Sequence, residues 1–299
     1  MPGNSGGFFA VDVGGSSVKS AFVVDGEVVR QEREPVAPDL EGLVRQLVRL
    51  REGAAAPAWG LCIAGLVDEE NGRVRYAVNL GLRDAPIVEL LEQHGQKPQV
   101  FVNDLVAATV GEAGGGTLAL LQVGTGIAGR CAVDGRVPPS ANGLAGEVGH
   151  LRFRRGGVRC RCGNRGCAEA YGSWGGIVNR YAKAGRAAPT PPGLLRDAEN
   201  DDWARRVLAN ALEAIGFAAA ALVSACDPGT LRIGGGVAAA WGERLLAAIR
   251  SDLRKRILPE VAEATVVERT KLGDAAPAVG LALLARESRL TRSQIGPVG

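Results

Sequence analysis

The 299-residue sequence predicts an α/β fold composed of two structurally related halves. Apolar segments near residues 8–13 and 117–123 are each followed by a glycine-rich turn, a returning strand, an Asp-Gly turn and a further strand. Helices and single strands are predicted after each copy, although few residues are identical between the copies. We therefore expect a duplicated β-β-β-α-β-α unit.

The first half predicts three hairpin-linked strands and then an amphipathic helix. Within 39–52, leucine and valine recur every three or four residues, which places them on one face of a helix. The predicted elements are strands at 8–13, 17–24 and 27–32, a helix at 39–52, a strand at 58–63, a loop containing Gly65 and Asp68, a helix at 86–94, a strand at 99–102 and a helix entered through Asn103 and Asp104.

The second half predicts the same hairpin order and then a mainly helical region. A third strand is expected after Asp134-Gly135, and residues 185–192 are expected to form a surface loop or a mobile flap. The predicted elements are strands at 117–123 and 127–133, helices at 168–183 and 202–226, a strand at 230–233, a helix at 238–256, a strand at 264–268 and a helix at 277–286.

Composition and charge indicate a globular, cytoplasmic protein. A net charge of +3 in a sequence of mixed sign gives no reason to expect nucleic acid as a partner. The longest apolar stretch, Ala214 to Cys226, is too short to span a bilayer, and no cationic segment followed by an apolar run opens the chain. Cys62, Cys131 and Cys226 lie singly in apolar surroundings, which favours buried free thiols in a reducing compartment.

Four residues have the spacing of a structural zinc site. His150, Cys160, Cys162 and Cys167 lie close together in a glycine-rich segment, and Zn²⁺ prefers a tetrahedron of thiolates and imidazole. The alternatives are ordinary thiols or a disulfide pair. Cys160 and Cys162 are too close for an unstrained mutual bridge, and a pair would leave one of the three cysteines over. Arginines are frequent in this segment, which indicates a solvated loop face.

The glycine turns suggest phosphate binding. Gly124–Gly129 matches the dinucleotide motif G-x-G-x-x-G, but these glycines lead into a strand, whereas a dinucleotide site needs a helix there. Backbone N–H groups in glycine turns can bind phosphates, and hydroxyls of Ser16, Ser17 and Thr125 would supplement them. Asp12, at the end of the first strand, could hold Mg²⁺ through water. The alternative is that tight hairpins need glycine for conformational reasons alone.

Together these motifs resemble the ROK family of sugar kinases and repressors, within the actin and hexokinase-like ATPase superfamily. The resemblance covers nearly the whole chain. It rests on Asp12-Val-Gly14-Gly15-Ser16, Val102-Asn103-Asp104, Gly124-Thr125-Gly126-Ile127, Glu147-Val-Gly149-His150 and Cys160-x-Cys162-Gly163-x-x-Gly166-Cys167-x-Glu169, of which the last is highly specific.

The resemblance implies a role for each motif. Asn103 and Asp104 would bind the sugar, and Asp104 would be the base that takes the proton from its primary hydroxyl. Glu147, His150 and Glu169 would bind other ring hydroxyls, so that His150 would use one ring nitrogen for zinc and the other for the sugar. The further residues implied are Gly65 and Asn79 on the sugar side, and Asp12, Gly14, Gly15, Ser16, Ser17, Gly124, Thr125, Gly126, Gly234, Gly235 and Gly236 on the nucleotide side.

The resemblance also implies the fold and the ligands. It implies two actin/RNase H-like domains with a nucleotide and sugar cleft between them. Residues 1–112 and a C-terminal helix at about 275–299 would form the smaller domain, and residues 113–274 the larger one, with the zinc loop and the helices of a dimer. The ligands would be ATP with Mg²⁺, a hexose or aminohexose, and a structural zinc ion. A homodimer without nucleic-acid or membrane partners is expected.

The sequence departs from the family pattern on the sugar side. Ala64, Ser16 and Ala128 replace the usual proline, threonine and glycine with small or hydroxylated residues, but no aromatic residue follows Asn79-Leu80, where Leu82-Arg83 stands instead. Phosphorylation of glucose at its 6-hydroxyl is the first expectation. An N-acetylmannosamine, N-acetylglucosamine or kanosamine kinase is the alternative, and polyphosphate is an alternative donor. The alternatives from other classes are a sugar-sensing repressor and a non-catalytic sugar-binding protein.

Overall fold

The computed structural model describes residues 7–294, with side chains to residue 288, and contains two compact units. The first comprises the chain up to residue 115, residues 135–144 and the chain from residue 274 onwards. The second comprises residues 116–134 and 145–273. The α/β class expected from the sequence is confirmed.

The first unit is built on a five-stranded sheet in the order β3-β2-β1-β4-β8. Strands β1, β2 and β3 are antiparallel, and β1, β4 and β8 are parallel. The elements are β1 Phe8–Val13, β2 Ser17–Val24, β3 Glu27–Pro35, α1 Leu40–Glu52, β4 Ala58–Ile63, β5 Leu66–Asp68, β6 Arg73–Ala77, β7 Leu82–Ala85, α2 Ile87–Gln93, β8 Val100–Asn103 and α3 Asp104–Ala113. The unit ends with the helix Ala276–Gln294.

Alternation along β1 divides the core of this unit between the two faces of the sheet. Phe9, Val11 and Val13 pack with residues of α1 and α2, whereas Phe8 and Ala10 pack with residues of α3 and the C-terminal helix. Because side chains alternate along a strand, Asp12 belongs to the second face. The sheet therefore presents this carboxylate on the side that α3 covers.

Helix α3 packs closely on the C-terminal helix through two glycines. A Cβ atom at Gly280 would lie 1.8 Å from the carbonyl oxygen of Ala107, and one at Gly111 would lie 2.1 Å from that of Ala276. These distances leave no room for any side chain on either glycine. The glycine pair therefore fixes the position of α3, whose first residue is Asp104.

A small third sheet occupies the segment expected to be a loop around Gly65 and Asp68. Strands β5, β6 and β7 form an antiparallel sheet of three strands, so the loop prediction was wrong for most of residues 66–85. The strands have only three to five residues, too few for alternation to be visible in the sequence. Buried Val74, Leu82 and Ala85 attach the sheet to the core.

The second unit is built on a four-stranded sheet in the order β10-β9-β11-β12. One core joins this sheet to the helices. The elements are β9 Leu118–Val123, β10 Ile127–Ala132, α4 Glu169–Gly172, α5 Trp174–Lys183, α6 Pro191–Asn200, α7 Asp202–Cys226, β11 Thr230–Gly234, α8 Gly236–Arg256, α9 Pro259–Ala264 and β12 Val266–Arg269. The C-terminal helix of the first unit, Ala276–Gln294, is α10.

The duplication is incomplete, and three local predictions need correction. Asp25-Gly26 and Asp134-Gly135 both form turns with positive φ, as predicted, but no strand continues beyond the second turn through residue 144. The helix expected at 168–183 is interrupted at Ser173, which ends α4 in extended backbone and caps α5. The loop expected through residue 192 ends earlier, because Pro191 is the first residue of α6.

Helix α7 is long and apolar because it is a core helix. Within the described part of the chain it alone has the length and composition to cross a membrane, and 61% of its most apolar window is buried inside the protein. Ala211, Ala214 and Ala218 are completely buried along it. Small residues on several faces let α8 and the sheet pack against it.

Candidate active site

Asp12 lies between a cation and a thiol on neighbouring strands. Its partners in the sheet register are Lys19 on β2 and Cys62 on β4. The Lys19 Nζ atom is 3.6 Å from Asp12 Oδ2, and the Cys62 thiol donates to Oδ1 over 3.6 Å. Burial raises the pKa of Asp12 above its usual value, and the charge of Lys19 opposes that rise. A cation near this carboxylate would be electrostatically favourable.

Asp104 is the first residue of α3, directly after β8. Asn103 is the N-cap, and its Oδ1 accepts from the backbone N–H groups of Leu105 and Val106 over 2.9 and 3.3 Å. The capping role that Asp104 could have filled thus belongs to its neighbour. Asp104 Oδ1 accepts from the Leu105 N–H group over 2.9 Å. One carboxylate oxygen is held in place by the helix.

The pKa of Asp104 is raised to about 6. Burial is the main cause, and the negative charge of Asp12 contributes. Hydrogen bonding from the Leu105 N–H group acts in the opposite direction. The carboxyl is therefore ionised at pH 7 and above, yet basic enough to accept a proton from a hydroxyl group in a reaction.

The residues predicted on the sugar side contact one another and the first glycine turn. Asn103 Nδ2 donates to the Gly65 carbonyl oxygen over 2.8 Å. Gly65 has a φ of +131°, and a Cβ atom there would lie 2.6 Å from a carbonyl oxygen of β6. A Cβ atom at Gly15 would lie 2.7 Å from Cβ of Asn79. The first unit thus brings together Gly65 with Asn103, and Asn79 with the turn that follows Asp12.

In the second unit, Glu169 supports the second glycine turn. Its Oε2 accepts from the Ile127 N–H group over 2.9 Å and lies 2.7 Å from the position of a Cβ atom at Gly126. The backbone N–H groups of Trp174 and Gly175 donate to the carbonyl oxygens of Gly124 and Thr125 over 2.8 and 3.1 Å. Helices α4 and α5 therefore fix the backbone of the second glycine turn through these contacts. The sequence predicted a sugar contact for Glu169 and missed this supporting contact.

The third glycine segment adjoins the second turn. Gly235 has a φ of +91°, and a Cβ atom there would lie 2.4 Å from the carbonyl oxygen of Val123, the residue that enters the turn. The Gly236 nitrogen lies 3.9 Å from the position of a Cβ atom at Gly124. Since Gly236 is the first residue of α8, exposed backbone N–H groups of a helix N-terminus lie beside those of the turn.

The predicted metal ligands converge. One ligand atom from each of His150, Cys160, Cys162 and Cys167 lies within 4.8 Å of every other. The Cys160 Sγ to His150 Nδ1 distance is 3.8 Å, and the Cys162 to Cys167 Sγ distance is 3.6 Å. Sulfur atoms about 2.3 Å from a tetrahedral ion are about 3.8 Å apart, so the donor set fits one ion. Burial raises the pKa of the Cys160 thiol and raises that of Cys167 to about 12, which leaves both without a charge unless a cation is bound.

His150 has acidic groups near both ring nitrogens. Its Nδ1 atom faces the sulfur atoms and lies 4.0 Å from Glu169 Oε1, while its Nε2 atom lies 3.7 Å from Glu147 Oε2. Burial raises the pKa of Glu147, and the charge of His150 would lower it. Glu147, His150 and Glu169 thus form one polar cluster, in which Nε2 of the imidazole is directed away from the metal ligands.

Sequence reasoning missed two residues that flank Asp12. Lys19 and Cys62 were not predicted to belong to the site, although the hairpin that begins at the first glycine turn places residue 19 opposite residue 12. Lys19 also lies 3.2 Å from Asp274 Oδ1 at the entry to α10. That second contact could not be predicted from a local sequence pattern, because it joins residues 255 positions apart.

Comparison with known proteins gives a consistent result over almost the whole chain. The sequence model of the ROK family matches residues 8–288. A glucokinase of Halalkalibacterium halodurans is 30% identical, with 91% of this chain and 93% of the relative covered. An N-acetylmannosamine kinase of Vibrio cholerae is 27% identical, with 81% and 88% covered.

Two solved structures with similar folds also have substantial sequence identity. The ROK hexokinase of Thermus thermophilus matches with a TM-score of 0.82 and 30% identity, covering 96% of this chain and all of that one. A ROK family glucokinase of Streptomyces griseus, solved in complex with glucose and AMPPNP, matches with a TM-score of 0.77 and 29% identity, covering 94% and 100%.

Proposed function

The chain belongs to the ROK family, and on that premise we propose that it is a sugar kinase that transfers the γ-phosphoryl group of ATP to the 6-hydroxyl of glucose. The observation that carries this proposal is the Asp104 carboxyl at the start of α3, with a pKa of about 6 and one oxygen bound by the Leu105 N–H group. A kinase of this type needs a carboxylate that is ionised at neutral pH and held in a fixed orientation.

Asp104 would act as the general base. As the sugar oxygen attacks the γ-phosphorus and the bond to ADP breaks, the hydroxyl proton passes to the carboxylate oxygen that does not bind Leu105. Asn103 would hold the sugar, since its side-chain amide is oriented by Gly65. Such a base typically contributes 10²–10⁴-fold to the rate.

The nucleotide would be bound by backbone N–H groups of the glycine turns. The N–H groups of Gly15 and Ser16 in the first turn, and of Thr125 and Gly126 in the second, would bind the phosphates, because those of Gly14 and Gly124 donate within their own turns. Gly234–Gly236 would supply the adenine side. Asp12 would hold Mg²⁺ through water, which fits a buried carboxylate whose pKa is raised. When bound, the ion neutralises charge on the phosphates.

We propose that His150, Cys160, Cys162 and Cys167 hold a zinc ion with a structural role. Four protein ligands leave no open position for catalysis. Bound by Nδ1, the imidazole would present Nε2 to a ring hydroxyl beside Glu147, and the ordered loop would position Glu169 under the second glycine turn. The metal would therefore act on sugar affinity through the order of this loop.

The relatives and one local feature support the choice of acceptor. Glucokinases among the relatives support glucose, whereas the N-acetylmannosamine kinase supports an amino sugar as the alternative. Where the family pattern has an aromatic residue, Leu82 is buried and the guanidinium of Arg83 lies 5.4 Å from the ring centre of Tyr76. A cation in this position favours recognition of a polar substituent on the sugar.

A panel of acceptors tests the proposal. ADP release would be measured with ATP and Mg²⁺ for glucose, mannose, N-acetylmannosamine, N-acetylglucosamine and kanosamine, with polyphosphate as a second donor. We expect the highest kcat/KM for glucose with ATP, and turnover that requires Asp104. Sugar binding by calorimetry without turnover on any acceptor would instead favour a non-catalytic sugar-binding protein.

We further propose that the protein is a cytoplasmic homodimer. A related glucokinase was solved with AMPPNP, an analogue of ATP, and ATP is a substrate of the cytoplasm, which supports the location. The homodimer rests on the family resemblance alone. Light scattering coupled to gel filtration would measure the mass in solution. A mass near the 30.9 kDa of one chain at micromolar concentration would contradict the dimer.

A further inference from the structure

Two cysteines outside the metal cluster lie on adjacent elements of the second unit. Cys131 is near the end of β10, and Cys226 is the last residue of α7. Both thiols are free and partly exposed, whereas Cys62 is buried. The sequence-based expectation of buried free thiols is therefore wrong for two of these three residues. A small oxidant in solvent has access to both.

The packing of β10 on α7 places the two cysteines opposite each other. A Cβ atom at Gly129 would lie 2.6 Å from Leu222 Cδ2, so the side-chain face of Gly129 is in contact with α7. Two residues further along a strand, the same face recurs after about 6.6 Å. Four residues further along a helix, the same face recurs after about 6 Å. These steps lead from Gly129 to Cys131 and from Leu222 to Cys226.

A contact earlier in both elements shows that β10 and α7 run in the same direction. Ile127 Cδ1 and Ile215 Cγ1 both approach Gly172, at 3.0 and 2.9 Å from the position of its Cβ atom. The order Ile127, Gly129, Cys131 along the strand therefore accompanies the order Ile215, Leu222, Cys226 along the helix. Cys131 and Cys226 therefore lie toward the same end of the two packed elements.

The two thiols also affect one another chemically. The interaction with Cys131 lowers the pKa of Cys226 to about 7, and the presence of Cys226 raises the pKa of Cys131 above its usual value. Cys226 is therefore partly ionised at neutral pH, next to the thiol of Cys131. A thiolate beside a second thiol is the arrangement that peroxides oxidise to a disulfide.

We propose that Cys131 and Cys226 form a redox modification site, which a hydroperoxide converts to a disulfide and a small dithiol reduces. The Cys226 thiolate attacks the peroxide, the O–O bond breaks, and a sulfenic acid and one water (or alcohol) result once the released oxygen takes a proton. The Cys131 sulfur then attacks the sulfenic sulfur, the S–S bond forms, and a second water leaves with the Cys131 proton. Two thiols are oxidised for each peroxide reduced.

The disulfide would join the end of β10 to the end of α7 and close a loop of about a hundred residues. It would fasten the strand that follows the second glycine turn to the main helix of the core. The pair does not include any residue of the proposed active site or any proposed metal ligand. The inference therefore does not rest on the proposed kinase function, and its test does not use kinase activity.

Peptide mapping of the protein as purified tests the proposal. The protein is treated at pH 7.5 with hydrogen peroxide, remaining thiols are alkylated, and the digest is analysed by mass spectrometry before and after reduction. We expect a crosslinked peptide pair containing Cys131 and Cys226, the loss of two free thiols per chain, and complete reversal by dithiothreitol. Cys62 should remain available for alkylation after unfolding.

Two variants serve as controls. Cys226→Ser should form no crosslink, and Cys131→Ser should stop at a sulfenic acid on Cys226 that dimedone traps. In Cys131→Ser, alkylation of Cys226 at pH 7 should also slow by about five- to tenfold, because the loss of thiolate outweighs the greater nucleophilicity of a thiolate with a higher pKa. Oxidation of Cys226 beyond the sulfenic acid in the wild-type protein while Cys131 stays free would overturn the proposal. So would oxidation of the metal-cluster cysteines, with metal release, before any Cys131–Cys226 crosslink forms.

Discussion

Replacing Asp104 with asparagine should remove activity and at the same time stabilise the protein. The carboxyl has a pKa of about 6 in the folded protein, compared with about 3.9 for an aspartate in an unfolded chain. A difference of about two pH units corresponds to roughly 3 kcal/mol, which we reduce to about 1–2 kcal/mol because the side chain is partly open to solvent. Asparagine can still accept from the Leu105 N–H group, so the helix start is retained.

The size of the effect depends on pH. Because the folded-state pKa is raised, folding favours the protonated carboxyl, and stability is lost as the pH rises through about 6. Asp104→Asn should therefore increase the free energy of unfolding at pH 7.5 by about 1–2 kcal/mol. At pH 4, where the carboxyl is protonated in the folded state, the gain should largely disappear.

Urea unfolding at both pH values and steady-state kinetics together measure this prediction. We expect kcat to fall by 10²–10⁴-fold while the dissociation constant for sugar changes little. Asn103→Ala is the matched control, since loss of the N-cap should destabilise the protein by about 1 kcal/mol at either pH. A variant that is no more stable than wild type at pH 7.5, or that keeps more than a tenth of kcat, would refute the argument from the buried carboxylate.

Three further predictions concern the surroundings of this carboxyl, the metal cluster and the support of α3. In wild type, kcat/KM should decline below a pH of about 6. In Asp12→Asn the residual activity should decline only at a lower pH, because the negative charge that raises the pKa of Asp104 is gone. An unchanged pH profile would contradict an electrostatic interaction between Asp12 and Asp104. Cys162→Ser should lose zinc, measured by plasma mass spectrometry, and raise the KM for sugar at least tenfold, whereas zinc-free protein with unchanged kinetics would rule out the structural role. Gly280→Ala should lower the free energy of unfolding by about 2–4 kcal/mol, since its Cβ would lie 1.8 Å from a backbone oxygen. Gly53→Ala is the control and should have little effect, because no atom lies closer than 3.5 Å to the position of its Cβ. Equal stabilities of the two variants would show that α3 and α10 can separate without cost.

Much of the first unit and the convergence of the proposed metal ligands were predictable because the relevant patterns are local. The strand and helix that meet at Asn103 and Asp104 follow from an apolar run that ends in Asn and Asp, residue types that favour the start of a helix. The cysteine spacing required only a short glycine-rich segment to fold back on itself, and the four donor atoms do converge. The small sheet at 66–85 was missed because strands of three to five residues show too little alternation.

Local sequence patterns were enough to place most of the main strands and helices and to identify the carboxylates, thiols and glycine turns that supply the chemistry. Such information is local, because propensity, capping and periodicity act over a few neighbouring residues. Three-dimensional packing was needed to show that Glu169 supports the turn at Gly126, that Lys19 is shared between Asp12 and the entry to α10, and that Cys131 and Cys226 lie on neighbouring elements. These contacts depend on the packing of whole helices against sheets, where a glycine such as Gly129 sets how closely two elements approach.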